Sequence, residues 1–97
     1  MSQEISQHSI IRRNPNIAFT YLDKEVMLLN PDTGQYYSFN KVGAYIWELI
    51  AEPIAFEVLI HHLMLKFEVE KNKCEKDTLQ FLNLLYQKKM IIIQLKA

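Results

Sequence analysis

Residues 30–47 read NPDTGQYYSFNKVGAYIW and contain the clearest local signals in the sequence. It opens with a turn signal, because its proline presets the first turning residue and Gly34 supplies a positive φ. The aromatic run Gln35–Phe39 follows and predicts a short β-strand. Asn40 can then cap a helix that begins directly after the strand. A turn, a strand and a helix are therefore expected in immediate succession.

Two further strands are predicted upstream, at Ile17–Leu22 and Glu25–Leu29. Short connections make neighbouring strands pair antiparallel, so we expect a three-stranded meander. The strand Gln35–Phe39 would then lie at an edge of the sheet. It contains no lysine, proline or other feature that commonly prevents an edge from pairing with another strand. The sequence therefore predicts a sheet edge that is open to a partner.

Three helical patterns follow the strands. The apolar periodicity predicts a second helix over Phe56–Phe67, and a capping box formed by Asn72 and Glu75 predicts the start of a third. The apolar tail Met90–Leu95 can form a small strand or pack on the core. The predicted fold class is α+β, a three-stranded antiparallel meander followed by three helices, similar to a winged helix-turn-helix. The expected helix bounds are 41–51, 56–67 and 72–89.

Length and composition limit the classes of protein to which the chain can belong. The chain has 97 residues, which is enough for one domain, and we expect a flexible N-terminal arm at 1–16 and the domain at 17–95. Basic and acidic residues balance at 11 each, which argues against a primary role on nucleic acid. A single cysteine excludes an internal disulfide, and no apolar run approaches the roughly 20 residues that span a bilayer. We expect a cytoplasmic protein.

Side chains that usually carry catalysis or bind metals are sparse. His61 and His62 are adjacent and diverge by about 100° on a helix, so they cannot hold one ion together. His8 lies in the predicted arm, and Cys74 has no histidine at a ligand spacing. Only two glycines are present, too few for a phosphate-binding loop. We therefore expect a binding protein without a catalytic residue, metal or cofactor, rather than an enzyme.

The third predicted helix carries two apolar rows. A wider row of Thr78, Phe81, Leu82 and Leu85 suits the core, and a narrower row of Leu79, Asn83 and Tyr86 lies beside it. This narrower row can line a groove next to the third strand, or it can pack on the first helix as part of the core. Alternation separates the side chains of the strand into two faces. The predicted peptide-binding residues are Gln35, Tyr36, Tyr37, Ser38, Phe39, Leu79, Asn83 and Tyr86.

Two other classes of function fit three strands and three helices. A winged-helix DNA-binding regulator would present basic and amide side chains along one helix face, whereas the third helix carries mixed charges. The affinity of such a regulator for duplex DNA would fall steeply with salt. A structural subunit would instead use the open sheet edge to form a homodimer.

Two segments resemble the PqqD family. They are LLNPDTGQYYSFNKVGAYIWELI at 28–50 and, one helix later, DTLQFLNLLYQKKMI at 77–91. The most specific parts are Tyr-Tyr-x-Phe-Asn after the turn, Gly-x-x-Ile-Trp at 43–47 and Asp-x-x-x-Phe-Leu-x-x-Leu at 77–85. Members are RiPP recognition elements, small domains that bind peptides during the biosynthesis of ribosomally synthesised, post-translationally modified peptides.

The resemblance implies a non-catalytic adaptor with a winged-helix-like fold. The leader peptide of a precursor would add as a strand to the third strand, beside the third helix, and be presented to a leader peptidase or a modifying enzyme. We favour lasso-peptide biosynthesis, and pyrroloquinoline quinone synthesis with its radical enzyme is the other candidate. The chain departs from the family at Ala55, where a threonine cap is usual, and at Lys89-Met90, where a glycine is usual.

Overall fold

The computed structural model of the protein describes residues 5–94. In that range the chain forms two small antiparallel sheets and three helices, which confirms the predicted α+β class. The elements in chain order are β1 (Ile10–Arg13), β2 (Ala18–Leu22), β3 (Glu25–Leu29), β4 (Tyr36–Phe39), α1 (Lys41–Leu49), β5 (Ile54–Ala55), α2 (Phe56–Phe67), α3 (Lys71–Gln87) and β6 (Ile91–Gln94).

The predicted meander is confirmed, with strand order β2-β3-β4. The turn before β4 is closed by two backbone hydrogen bonds, from Asn30 N–H to the Gln35 carbonyl (2.9 Å) and from Gly34 N–H to the Asn30 carbonyl (2.8 Å). Gly34 has a φ of 74°, in the left-handed region that favours glycine. Because β4 comes last in the strand order, it is an edge strand, as the sequence predicted.

One face of this meander packs on the core and the other is open. Val26 and Leu28 on β3 are fully buried, and their cross-strand partners Phe39 and Tyr37 on β4 are partly buried against the same core. On the opposite face Tyr36 is 66% exposed. The structure thus assigns Tyr37 and Phe39 to the inner face, a choice that the alternation alone left open.

Helix α1 follows β4 because Asn40 caps it, as predicted. The Asn40 side-chain oxygen accepts hydrogen bonds from Val42 N–H (3.1 Å) and Gly43 N–H (3.2 Å). Ile46 and Trp47 are buried on this helix. A side-chain cap at this position typically contributes about 1 kcal/mol, so it fixes the point where the chain turns from strand to helix.

The structure contains a second sheet that was not predicted, and this sheet includes residues near the N-terminus. Its strand order is β5-β1-β6, so β1 is central, and Ile11 pairs with Ile93 and is fully buried. Residues 10–13 are therefore part of the folded core, whereas the sequence led us to expect a flexible arm over residues 1–16. Residues 1–4 lie outside the described range. The apolar pair Ile10-Ile11 is too short to show a period, and its partner strands lie far along the chain.

Arg13 connects this second sheet to α1. Its Nε and Nη2 donate to the Trp47 carbonyl at 2.9 and 2.6 Å. The guanidinium carbon lies 4.5 Å from the ring centroid of Phe19 and 4.8 Å from that of Trp47. A cation on the last carbonyls of a helix also suits the negative end of the helix dipole. β1 thereby holds α1 from the end opposite to its Asn40 cap.

The ends of the other helices differ in detail from the predictions. Helix α3 begins at Lys71, because the Glu70 carboxylate accepts from Asn72 N–H (3.0 Å) and Lys73 N–H (3.2 Å). The predicted cap at Asn72 is therefore wrong by two residues. Helix α2 begins without a side-chain cap, as the Ala55 departure implied. The apolar tail forms β6, with the predicted residue 95 outside the described range.

Candidate peptide-binding groove

The edge of β4 presents backbone groups that a partner strand can use. The Gln35 carbonyl accepts a hydrogen bond across the turn at 2.9 Å, so it points toward β3. In an antiparallel ladder, successive residues direct their N–H and C=O groups to opposite sides. Tyr37 and Phe39 therefore direct theirs to β3, whereas Tyr36 and Ser38 direct theirs away from the sheet. These outward groups are the ones that an added strand would pair with.

An apolar depression of about 390 Å³ lies beside this edge, between β4, α1 and α3. Two of its walls are the rings of Phe39 and Phe81, which meet edge to face with centroids 4.8 Å apart and planes at 87°. Gly43 of α1 also lines it. A Cβ at Gly43 would lie 2.6 Å from the Phe39 Cβ and 3.2 Å from the Phe81 Cζ. The missing side chain therefore allows α1 to approach both rings.

A second depression, of about 240 Å³, lies at the start of β4. Gln35, Tyr37 and the two lysines Lys88 and Lys89 line it. The Lys88 Nζ lies 5.6 Å from the Tyr37 ring centroid, and the Tyr37 hydroxyl donates to the Gln35 Oε1 at 3.1 Å. Helix α3 thus flanks β4 at both ends, and together they form a groove along the open edge.

The sequence of the chain matches a known family over the whole segment that forms this groove. The family model described as coenzyme PQQ synthesis protein D (PqqD) matches residues 25–91. The chain belongs to the PqqD family. The matched segment runs from the first residue of β3 to the first residue of β6, so it includes β4 and α3, which form the groove. No curated protein matches the sequence.

Solved structures with the same fold support this assignment. The structure of TbiB1 in complex with the TbiA(beta) leader peptide has a TM-score of 0.77 and 28% sequence identity, and the alignment covers 82% of this chain and 93% of that one. The structure of lasso peptide synthetase B1 complexed with the leader peptide has a TM-score of 0.75 and 23% identity, covering 84% of this chain and 96% of that one. The second likeness shows a shared fold.

The eight site residues predicted for this PqqD-family chain fall into two groups. Five of them lie on β4 or directly before it, along the groove: Gln35, Tyr36, Tyr37, Ser38 and Phe39. The other three, Leu79, Asn83 and Tyr86, lie on the flank of α3 about 160° around the helix axis from the groove. Leu79 and Tyr86 are partly buried against the core, which was the alternative left open by the sequence. Contact between any of the eight and a peptide stays a prediction.

The row of α3 that faces β4 was missed. Asp77 and Phe81 line the first depression and Lys88 lines the second, and these three residues follow the i, i+4, i+11 spacing of one helix face. Phe81 was assigned to the wider, core row because it is apolar, and Asp77 and Lys88 were counted among the mixed charges of the helix. The spacing was visible in the sequence. Which flank of α3 faces β4 depends on how α1 and α2 place it, and no local pattern carries that information.

The single cysteine of the chain, Cys74, lies in the hydrophobic core. Cys74 is buried, and its Sγ lies 4.0 Å from the Thr78 Oγ1. Burial raises the pKa of the Cys74 thiol, and this keeps the thiol protonated at neutral pH. No group of three His, Cys, Asp or Glu side chains in this range is placed to hold a metal ion. Among the described residues, none of α1, α2 and α3 has both the length and the hydrophobicity of a membrane-spanning helix.

Proposed function

We propose that the protein is an adaptor that binds an extended peptide by strand addition to β4. The observation that carries this proposal is the outward direction of the Tyr36 and Ser38 backbone groups directly beside the apolar depression of Phe39 and Phe81. Backbone pairing supplies affinity that is independent of sequence, and side-chain depressions on one face supply selection. The groove therefore combines both elements of β-strand recognition.

The peptide we propose is the leader of a ribosomally made precursor. Membership of the PqqD family supports this, as does the similarity to TbiB1, which was solved with the TbiA(beta) leader peptide. We favour lasso-peptide biosynthesis over the pyrroloquinoline quinone pathway. In either pathway the adaptor would present the bound leader to a separate leader peptidase or modifying enzyme and would not itself react with it.

The test is calorimetric titration of the full chain with a synthetic peptide taken from a short reading frame beside its own gene. We expect micromolar or tighter binding, and loss of that binding in Ser38→Pro. Proline at position 38 removes an N–H that points away from β3, so the ladder to β3 keeps its hydrogen bonds. Ser38→Ala is the matched control, because it removes the side chain and keeps the backbone donor.

The two variants separate the possible results. Binding retained in Ser38→Ala and lost in a folded Ser38→Pro supports strand addition. Equal binding in both variants contradicts it, since the edge would then contribute no backbone hydrogen bond. If the folded wild-type protein binds no such peptide but does bind duplex DNA, the result would favour a winged-helix regulator.

A further inference from the structure

The two ends of the groove differ in charge, and this difference predicts which peptides fit. We infer that the groove selects an extended peptide with an apolar side chain followed, two or four residues later, by Asp or Glu. The inference rests on the proposed function and specifies its ligand. It follows from the side chains at each end of β4, the alternation of an added strand and the direction in which that strand runs.

The end of the groove next to Phe39 accepts an apolar side chain and disfavours an acidic one. Phe39, Phe81 and Ile46 supply apolar walls. The one carboxylate in the lining belongs to Asp77, which pairs with Lys73 at 3.0 Å on the exposed surface. An acidic side chain at this end would lie near Asp77 and would lose hydration without gaining a cation, because Lys73 is already paired.

The other end is basic. Lys88 and Lys89 line it together with the amides of Gln35 and Gln87, and none of the described residues in this lining is a carboxylate. The Lys88 Nζ lies over the Tyr37 ring, so the ammonium is positioned at the groove rather than away from it. A carboxylate of the peptide at this end would find both a cation and amide donors. The described lining at the Phe39 end contains no lysine or arginine.

The spacing follows from the geometry of the strand. Side chains of an added strand that lie opposite Phe39, Tyr37 and Gln35 share the face toward α3, because directly opposed residues point to the same side of a sheet. These positions are two residues apart. An antiparallel strand, the slightly more stable arrangement, meets the Phe39 end first. The apolar residue therefore precedes the acidic one by an even number of positions, and an odd number would put the acid on the opposite face.

The experiment is a selection from a displayed library of random 12-residue peptides on the full-length protein, followed by affinity measurement on single enriched peptides. We expect enrichment of an apolar residue followed at an interval of two or four by Asp or Glu. Lys88→Glu should weaken the enriched peptide by roughly three- to tenfold at low salt, as for an exposed charge pair that is reversed. Replacing the acid of the peptide by Lys should then restore binding to Lys88→Glu.

Lys76→Glu is the matched control, because this lysine is exposed on the same helix but lies about 140° around the axis from Phe81. Two results overturn the inference and leave the proposed function intact. In one, the enriched peptides require the free edge at Ser38 but show no preference for an acid. In the other, they bind Lys88→Glu and Lys76→Glu equally. An acid that precedes the apolar residue overturns the stated strand direction. Failure to enrich any peptide overturns the proposed function itself.

Discussion

The ring of Phe81 on α3 meets the ring of Phe39 on β4 edge to face, with centroids 4.8 Å apart. Both side chains are partly buried, so this contact belongs to the core on one side and lines the groove on the other. An aromatic pair of this geometry contributes about 0.5–1.5 kcal/mol beyond the burial of its area. The pair thus holds the helix beside the strand and keeps an apolar surface available at the open edge.

The two flanks of α3 should respond differently to truncation. We expect Phe81→Ala to weaken peptide binding by roughly tenfold or more, because it removes an aromatic wall of the groove. Leu79→Ala removes a partly buried side chain on the other flank and should leave binding within about twofold, although both variants lose stability. Titration of each folded variant with one peptide checks this. Loss of binding in Leu79→Ala alone would instead support the row of Leu79, Asn83 and Tyr86.

Gly43→Ala should close part of the groove. The new methyl group would meet the Phe39 Cβ at 2.6 Å, so α1 or β4 must shift, and we expect a loss of about 1–3 kcal/mol in the free energy of unfolding, together with weaker peptide binding. Gly34→Ala is the control. Its Cβ meets open space, and the cost of about 1 kcal/mol comes only from the positive φ. Thermal unfolding and titration of both variants would distinguish them, and unchanged binding in Gly43→Ala would contradict the role assigned to it.

Arg13 should contribute more to stability than its neighbour Arg12. Arg13→Ala loses both hydrogen bonds to the Trp47 carbonyl and the stacking on two rings, and we expect a loss of about 2–3 kcal/mol. Arg13→Lys keeps the charge but lacks the planar guanidinium that donates two hydrogen bonds. Its stability should therefore lie between that of the wild type and that of Arg13→Ala. Arg12→Ala, whose side chain has no hydrogen-bond partner in the described part of the chain, should change stability by about 0.5 kcal/mol or less. Denaturant unfolding of the three variants checks the order.

The buried thiol should make stability depend on pH in the alkaline range. Burial is the largest cause of the raised pKa of Cys74, with the Thr78 hydroxyl opposing it and the carboxylates of Glu75 and Asp77 adding to it. A raised folded-state pKa gives stability that is complete below the unfolded-state pKa of about 8.5 and is lost as the pH rises through the folded value. The excess stability of the wild type over Cys74→Ala should therefore decrease from pH 8 upward. A constant difference across that range would contradict this.

The local signals in the sequence predicted the first sheet well. The turn that ends in Gly34 and the cap at Asn40 each depend on residues that are close in the chain. Both can therefore be predicted from the sequence without knowledge of the fold. Alternation also predicted that the side chains of β4 divide into two faces. Each of these features depends on a few neighbouring residues, which is why the turn, β4 and the start of α1 were predicted correctly.

The second sheet and the groove-facing row of α3 could not be derived in the same way. Ile11 pairs with Ile54 and Ile93, which lie on strands distant in sequence, and a four-residue strand carries too little pattern to be predicted from sequence. The flank of α3 that meets β4 is set by packing between helices. Phe81 satisfies both the core pattern and the groove pattern, and only the three-dimensional contact with Phe39 separates them.

The pairing of β1 with β6 brings the two ends of the described chain together. Ile10 and Gln94 are cross-strand partners, so the first and last strands of the described chain lie side by side in one sheet. A domain with adjacent ends can be inserted into a surface loop of another protein with little disturbance of either fold. The same architecture is therefore equally suited to act as a separate protein and to be carried inside a larger enzyme, where tethering would raise the local concentration of a bound substrate at the host's active site.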